Sequence, residues 1–188
     1  MPTSTQPDLM PYEAKMMRKI GDKDKVLHDF FEKNTLNSDP SLAERFHYMT
    51  AFKNLVGNFH NDITFLAALL AKRFLEKNFG TIELDVGEKP QGAPGIDIKT
   101  TTADGLRICC EIKTTKPYQP GFGASQKTAI KKDLAKLHRA EAELKFMMVT
   151  DRDAFSALGG QRFEPLCHGI LIVDILTEET FSHDWIKR

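Results

Sequence analysis

The stretch GIDIKTTTADGLRICCEIKTT, residues 95–115, decides how this chain is read. Two runs of alternating apolar and polar residues flank Ala103-Asp104-Gly105, whose residue types suit a tight hairpin turn. Cross-strand neighbours in an antiparallel pair share a face of the sheet, so residue parity tests the length of the loop. A three-residue loop sets Asp97 opposite Glu111, Lys99 opposite Cys109 and Thr101 opposite Arg107. One face then carries Asp97, Lys99, Thr101, Arg107, Cys109, Glu111 and Lys113, and the other carries Ile96, Ile98, Thr100, Ile108, Cys110 and Ile112. A two-residue loop would set Asp97 against Ile112 and mix polar with apolar positions, so the three-residue loop is expected. It brings two carboxylates and an ammonium together on strands that otherwise read as core.

The pattern on either side supplies the fold. Upstream, TIELDV (81–86) alternates as well and is expected to be a third strand. Before Gly80, a natural C-terminal stop, the period is helical. Asp62 to Asn78 is the most apolar helix, with Ile63, Leu66, Leu70 and Phe74 on one face. Leu42, Phe46, Met49, Phe52 and Val56 mark another helix that begins after Pro40-Ser41. Tyr12–Asn34 reads as one or two short helices, broken near Gly21-Asp22, and residues 1–10 as a loose tail. Downstream of the hairpin, the loop KPYQPGFGAS (116–125) leads to a helix over 126–140, with Ser125 as its expected N-cap and Ile130, Leu134 and Leu137 as its apolar stripe. LKFMMVT (144–150) and the nearly continuous apolar GILIVDIL (169–176) are expected strands, the second buried on both faces. Helices, strands, a helix and strands again imply an α/β domain, with the 126–140 helix crossing over to a parallel strand.

Composition narrows the function. A chain of 188 residues, 41% of them hydrophobic, is long enough for one sizeable core. Its net charge of zero means that any nucleic-acid partner must be met by local charge. Cys109, Cys110 and Cys167 are odd in number and form no C-x-x-C, which argues against a disulfide framework or zinc ribbon and for buried thiols. MPTSTQPDLMP at the start does not resemble a signal peptide, and no apolar run is long enough to span a bilayer. A cytoplasmic protein is therefore expected. The six histidines are scattered, and no G-x-x-x-x-G-K-[ST] loop occurs.

Read blandly, the polar hairpin face is a solvated surface with an ion pair between Glu111 and Lys113. Chemistry offers more. Two carboxylates held close repel each other and are reconciled by a hard divalent cation. Mg²⁺ takes one or two protein carboxylates together with waters and phosphate oxygens. The Ile112 backbone carbonyl, between Glu111 and Lys113, is a further candidate metal ligand. An adjacent lysine can orient attacking water and stabilise charge on a phosphodiester.

Asp97, the hairpin and Glu111-x-Lys113 together resemble the PD-(D/E)xK phosphodiesterase superfamily, the restriction-endonuclease-like nucleases. The resemblance runs roughly from Asn61 to Leu176. It departs from the motif where Gly95-Ile96-Asp97 replaces the usual Pro-Asp and Pro94 is displaced. It implies a restriction-endonuclease-like core over residues 61–188, a mixed sheet flanked by helices, with a helical extension over 1–60 packed on it as one compact domain. It implies Mg²⁺-dependent hydrolysis of DNA, with Mn²⁺ substituting, Asp97 and Glu111 as catalytic metal ligands and Lys113 positioning water. Superfamily members often carry a metal-linked acid in the first core helix. Asp62 is the nearest candidate, and a helix-start charge is its other reading.

The DNA contact is sought in the basic stretch from Arg107 to Arg139. Lys116 lies in the loop, Gln126 and Lys127 open the following helix, and Lys131 comes one turn later, where a helix N-terminus already favours phosphate. The expected enzyme is a type II restriction-type endonuclease that cuts double-stranded DNA at a short site. A homodimer matches the symmetry of such a site, and a cognate DNA methyltransferase is the implied host partner. The alternatives are a repair or junction nuclease, a nuclease subunit of a defence complex, and a catalytically inactive DNA-binding module of the same fold.

Overall fold

The computed structural model describes residues 9–86, 94–118 and 122–183. Most of the expected N-terminal tail and the middle of the 116–125 loop lie outside these residues. The chain divides into two compact units, one ending at Asp62 and the other beginning at Ile63. Among the described residues no helix is long and apolar enough to cross a membrane.

The first unit holds α1 (Pro11–Lys33) and α2 (Leu42–Val56). Gly21 does not break α1, because one glycine costs a helix only about 1 kcal/mol and good helix formers flank it on both sides. Ser41 caps α2 by accepting from the Glu44 N–H, while the Glu44 carboxylate accepts from the Ser41 N–H at 2.7 Å. Phe30, Phe31, Tyr48 and Phe52 pack with ring centroids 5.2–5.9 Å apart. Turning the Tyr48/Phe52 row toward α1 leaves Leu42, Phe46 and Met49 exposed, so the expected apolar stripe of α2 is only partly covered.

The next helix, α3 (Phe59–Phe79), begins three residues before the expected Asp62 and is shared between the units. It ends where Gly80, at φ +79°, donates its N–H to the Glu76 carbonyl. Residues 81–86 form no strand, contrary to expectation. Ile82 is buried and Leu84 half-buried against the core, and the Thr100 hydroxyl reaches the Glu83 carbonyl at 3.4 Å. The alternation reports burial of one side, but no backbone ladder accompanies it.

Among the described residues, the second unit carries one mixed five-stranded sheet in the order β1-β2-β3-β4-β5. Its strands are β1 (Ile98–Thr101), β2 (Arg107–Lys113), β3 (Leu144–Val149), β4 (Leu171–Asp174) and β5 (Glu179–Phe181). The hairpin keeps the expected register, Lys99 opposite Cys109 and Thr101 opposite Arg107. Gly105, at φ +85°, supplies the left-handed turn residue and donates to the Thr102 carbonyl at 2.9 Å. From β2 the chain crosses through α4 (Ala124–Arg139) to β3, which is parallel to it, and then through the seven-residue α5 (Arg152–Leu158) to a parallel β4. A short antiparallel β5 closes the edge.

Helices cover the sheet on both faces. Ala67, Ala71, Phe74 and Leu75 of α3 pack with Ile98, Ile108, Cys110, Phe146, Met148 and Val173. Ile130, Leu134 and Leu137 of α4 pack with Cys109, Met147, Val149 and Ile172 on the other side, where α5 adds Ala154, Phe155 and Leu158. Successive residues of β3 therefore alternate between two cores, as a strand buried on both faces requires. Free Cys109, Cys110 and Cys167 are all buried, and burial pushes the Cys167 thiol up to about 11, which leaves it inert. Ile130 is 3% exposed at the centre of the α4 contact. Ile130→Ala should lower unfolding stability by about 2 kcal/mol or more, measured by urea denaturation, because the hole cannot close between sheet and helix.

Candidate functional site

The hairpin presents only part of its polar face to solvent. The α4 helix covers the β2 part of that face, so Cys109 and Glu111 are buried, while Asp97, Lys99, Thr101 and Arg107 are exposed. Asp97 itself stands one residue before β1, after Gly95 at φ +102°. Ile96 packs into the α4-side core while Ile98 packs into the α3-side core, so the strand alternation begins only at Ile98. Asp97 is therefore not a ladder partner of Glu111. Its Oδ2 instead accepts the Ile112 N–H at 2.8 Å, which ties it to the residue after Glu111.

Glu111 is almost completely buried, its side chain 1% exposed. Lys113, two positions further along β2, reaches the same covered face. Two residues of α4 that the sequence did not single out complete the group. Asp133 is buried and forms an ion pair with the Lys113 ammonium. Lys136 Nζ lies 2.7 Å from Asp133 Oδ1 and 3.4 Å from Glu111 Oε1. The result is an alternating chain, Lys113–Asp133–Lys136–Glu111, with Asp97 alongside. A polar pair spaced three apart and interrupting the Ile130/Leu134/Leu137 stripe was the available signal.

The electrostatics separate the acids. Burial, then the charges of Asp97 and Asp133, push the Glu111 pKa from its ordinary 4.5 to about 7, with Lys136 drawing it partly back. Burial also acts to raise Asp133, but hydrogen bonds from Lys113 and Lys136 outweigh it and hold Asp133 below the usual carboxylate value. The hydrogen bond to Asp133, followed after desolvation by the charge of Glu111, raises Lys136. Acids pushed apart in this way are a mark of functional sites, although structural ion pairs produce the pattern too.

The other candidate residues fall elsewhere. Gln126 is buried, and its amide is held by backbone: Oε1 accepts from Gly123 at 3.1 Å and Tyr118 at 3.3 Å, and Nε2 donates to the Lys116 carbonyl at 2.9 Å. It anchors the loop to the start of α4, whose N-cap is Gly123 rather than Ser125. At ~100° per residue, Lys131 lies about 160° around α4 from Asp133, and Lys127 about 120°. Lys127 and Lys131 therefore do not join the acid cluster, and neither does the exposed Lys116. Among the described residues none of these lysines is in an ion pair, whereas Arg107 is held by Glu143 at 2.6 Å. Asp62, in the first turn of α3, is buried and ion-paired with Lys23, which also donates to the Val56 carbonyl. Ile112 contributes its N–H to Asp97.

Among the described residues no three His, Cys, Asp or Glu side chains are gathered closely enough to hold a metal by themselves. The donor chemistry still fits one class of ion. Asp97 and Glu111 are hard oxygen donors whose repulsion contributes to the raised Glu111 pKa, and Mg²⁺ needs only one or two such carboxylates. Compared with known proteins, the chain matches no protein-family model, no curated protein and no solved structure.

The raised Glu111 pKa has a signed consequence for stability. Between about 4.5 and 7 the folded chain keeps a proton on Glu111 that the unfolded chain has lost, so stability falls as pH rises through that window. The loss amounts to at most about 3.5 kcal/mol, at ~1.4 kcal/mol per pKa unit. In chelator-treated protein, urea unfolding between pH 4.5 and 7.5 should show this decline in the wild type and a flatter profile in Glu111→Gln. Parallel profiles would show that Glu111 keeps an ordinary pKa.

Proposed function

We propose that the chain is a divalent-metal-dependent phosphodiester hydrolase of the PD-(D/E)xK, restriction-endonuclease-like kind, acting on duplex DNA. The observation that carries this reading is the exposed Asp97 beside a buried Glu111 whose pKa is raised to about 7, with Lys113 two positions further along β2. A hard divalent cation held by Asp97 and Glu111 would supply Lewis acidity and neutralise charge on the scissile phosphate. The chain's own groups do the rest. Asp97, fixed by the Ile112 N–H, presents its carboxylate without a rotamer search. The Lys113 side chain is 25% exposed, and its ammonium donates to a water or a phosphate oxygen and stabilises the charge that develops there. The α4 cover keeps bulk water from Glu111, which strengthens every charge interaction in the group.

The unpaired lysines Lys116, Lys127 and Lys131 are the side chains suited to the DNA backbone, and such contacts carry affinity rather than sequence preference. Restriction of a short site by a two-fold dimer with a partner methyltransferase is the fullest form of this reading. It is supported by the residue pattern alone. A second reading has its own observation: both cluster lysines already hold carboxylates, as they would in a catalytically silent DNA-binding module stabilised by ion pairs.

One assay separates the two. Supercoiled plasmid should be nicked or linearised with Mg²⁺ or Mn²⁺, remain intact in EDTA, and be bound without cleavage in Ca²⁺, whose looser coordination activates water poorly. Cleavage that persists undiminished in EDTA would refute the metal mechanism, and binding without cleavage under every metal would favour the silent module. Lys113→Ala should lose roughly 10²-fold or more in rate while keeping DNA affinity, because its contact matures in the transition state. Wild-type turnover in that variant would remove Lys113 from the mechanism.

A further inference from the structure

Glu111 and Lys113 are two residues apart on β2, so their side chains rise from the same face about 7 Å apart at the backbone. A lysine of that reach beside Asp97 and Glu111 has an obvious place to go: onto the carboxylates, where its charge would compete with any cation. It does not go there. Its ammonium is bound by Asp133, which projects from the inward side of α4 and is only 7% exposed. Lys136, one turn along the same helix, also makes its closer contact to Asp133, 2.7 Å against 3.4 Å to Glu111. Asp133 thus holds both cations on the helix side of the group. A buried carboxylate with two ammonium partners is a strong and directional anchor, since losing either partner leaves uncompensated charge.

We propose that Asp133 is a positioning residue that keeps the Lys113 ammonium off Asp97 and Glu111, so that this carboxylate pair is left for a divalent cation. The inference rests on the reading of Asp97 and Glu111 as a metal site. It assigns Asp133 no contact with metal or substrate. Its effect passes through Lys113, so removing Asp133 should matter only while Lys113 is present. Coupling of that kind is what a double-mutant cycle measures.

The experiment uses DNA-free protein and Mn²⁺ as the probe, with free Mn²⁺ read by electron paramagnetic resonance and folding checked by circular dichroism. Asp133→Asn should weaken Mn²⁺ binding by ~fivefold or more, because the released lysine turns onto the carboxylates. Asp133→Glu, which keeps the charge, should stay near wild type. In the Lys113→Ala background, Asp133→Asn should change Mn²⁺ affinity by less than about twofold. Equal losses in both backgrounds, or wild-type affinity in Asp133→Asn, would overturn the proposal. If Asp133→Asn does not fold, the wild type decides by nitrogen NMR of its lysine side chains. The Lys113 Nζ signal should keep its shift as Mg²⁺ saturates the site, and displacement of that signal would overturn the proposal. Plasmid cleavage, run in parallel, keeps the two readings apart. A wild type that binds Mn²⁺ yet never cuts DNA refutes the nuclease while the cycle still tests Asp133. A wild type that binds no Mn²⁺ overturns the Asp133 proposal itself.

Discussion

Glu111 is a carboxylate on an inner strand of a sheet that helices cover on both faces. Removing such a group from water costs several kcal/mol unless it is protonated or meets a cation. Both remedies operate here. Its pKa stands near 7, so a proton is available close to neutrality, and Lys136 approaches from α4. Asp97 and Asp133 add their charges to the burial of Glu111, and Lys136 offsets them in part.

The α4 helix serves two ends through one geometry. As the crossover between β2 and the parallel β3, it must lie over the strands it connects, so its apolar stripe finds the core automatically. The same constraint lays Asp133 and Lys136 over the end of β2, where Glu111 and Lys113 are. Gln126 fixes the start of the helix by binding three backbone groups of the preceding loop, which limits how far α4 can slide along the sheet. The Asp133 pair is thereby held by the fold as well as by its own charge.

Not every ion pair in the molecule has this weight. Arg107 and Glu143 form several hydrogen bonds at the other end of β2, yet both are exposed and the pair is screened by water and salt. Lys113–Asp133 is largely enclosed, so breaking it strands a charge. The enclosed group therefore carries far more of the local electrostatic energy than the Arg107 pair does.

Local rules were enough for much of this protein. Parity across Ala103-Asp104-Gly105 determined the hairpin register, and with it the shared face of Glu111 and Lys113, because side-chain direction in a strand has a period of two. Asp97, outside the strand, is held by the Ile112 N–H instead. The continuous apolar run at 169–176 showed a strand buried on both faces, and the α4 stripe showed which side of that helix meets the sheet. Tertiary structure decided the rest. Alternation at 81–86 reported a buried side, but a strand also needs a hydrogen-bonding neighbour, which no local pattern supplies. Leu42, Phe46 and Met49 of the α2 row turned outward because α1 met Tyr48 and Phe52 instead. Gln126 looked like a helix-start residue open to phosphate until the loop folded over it. Asp133 and Lys136 lie far along the chain from Glu111 and Lys113, and nothing in their own stretch says which strand they will cover. Only the crossover brings them there, since the pairing of distant charges is a property of how the helix packs on the sheet.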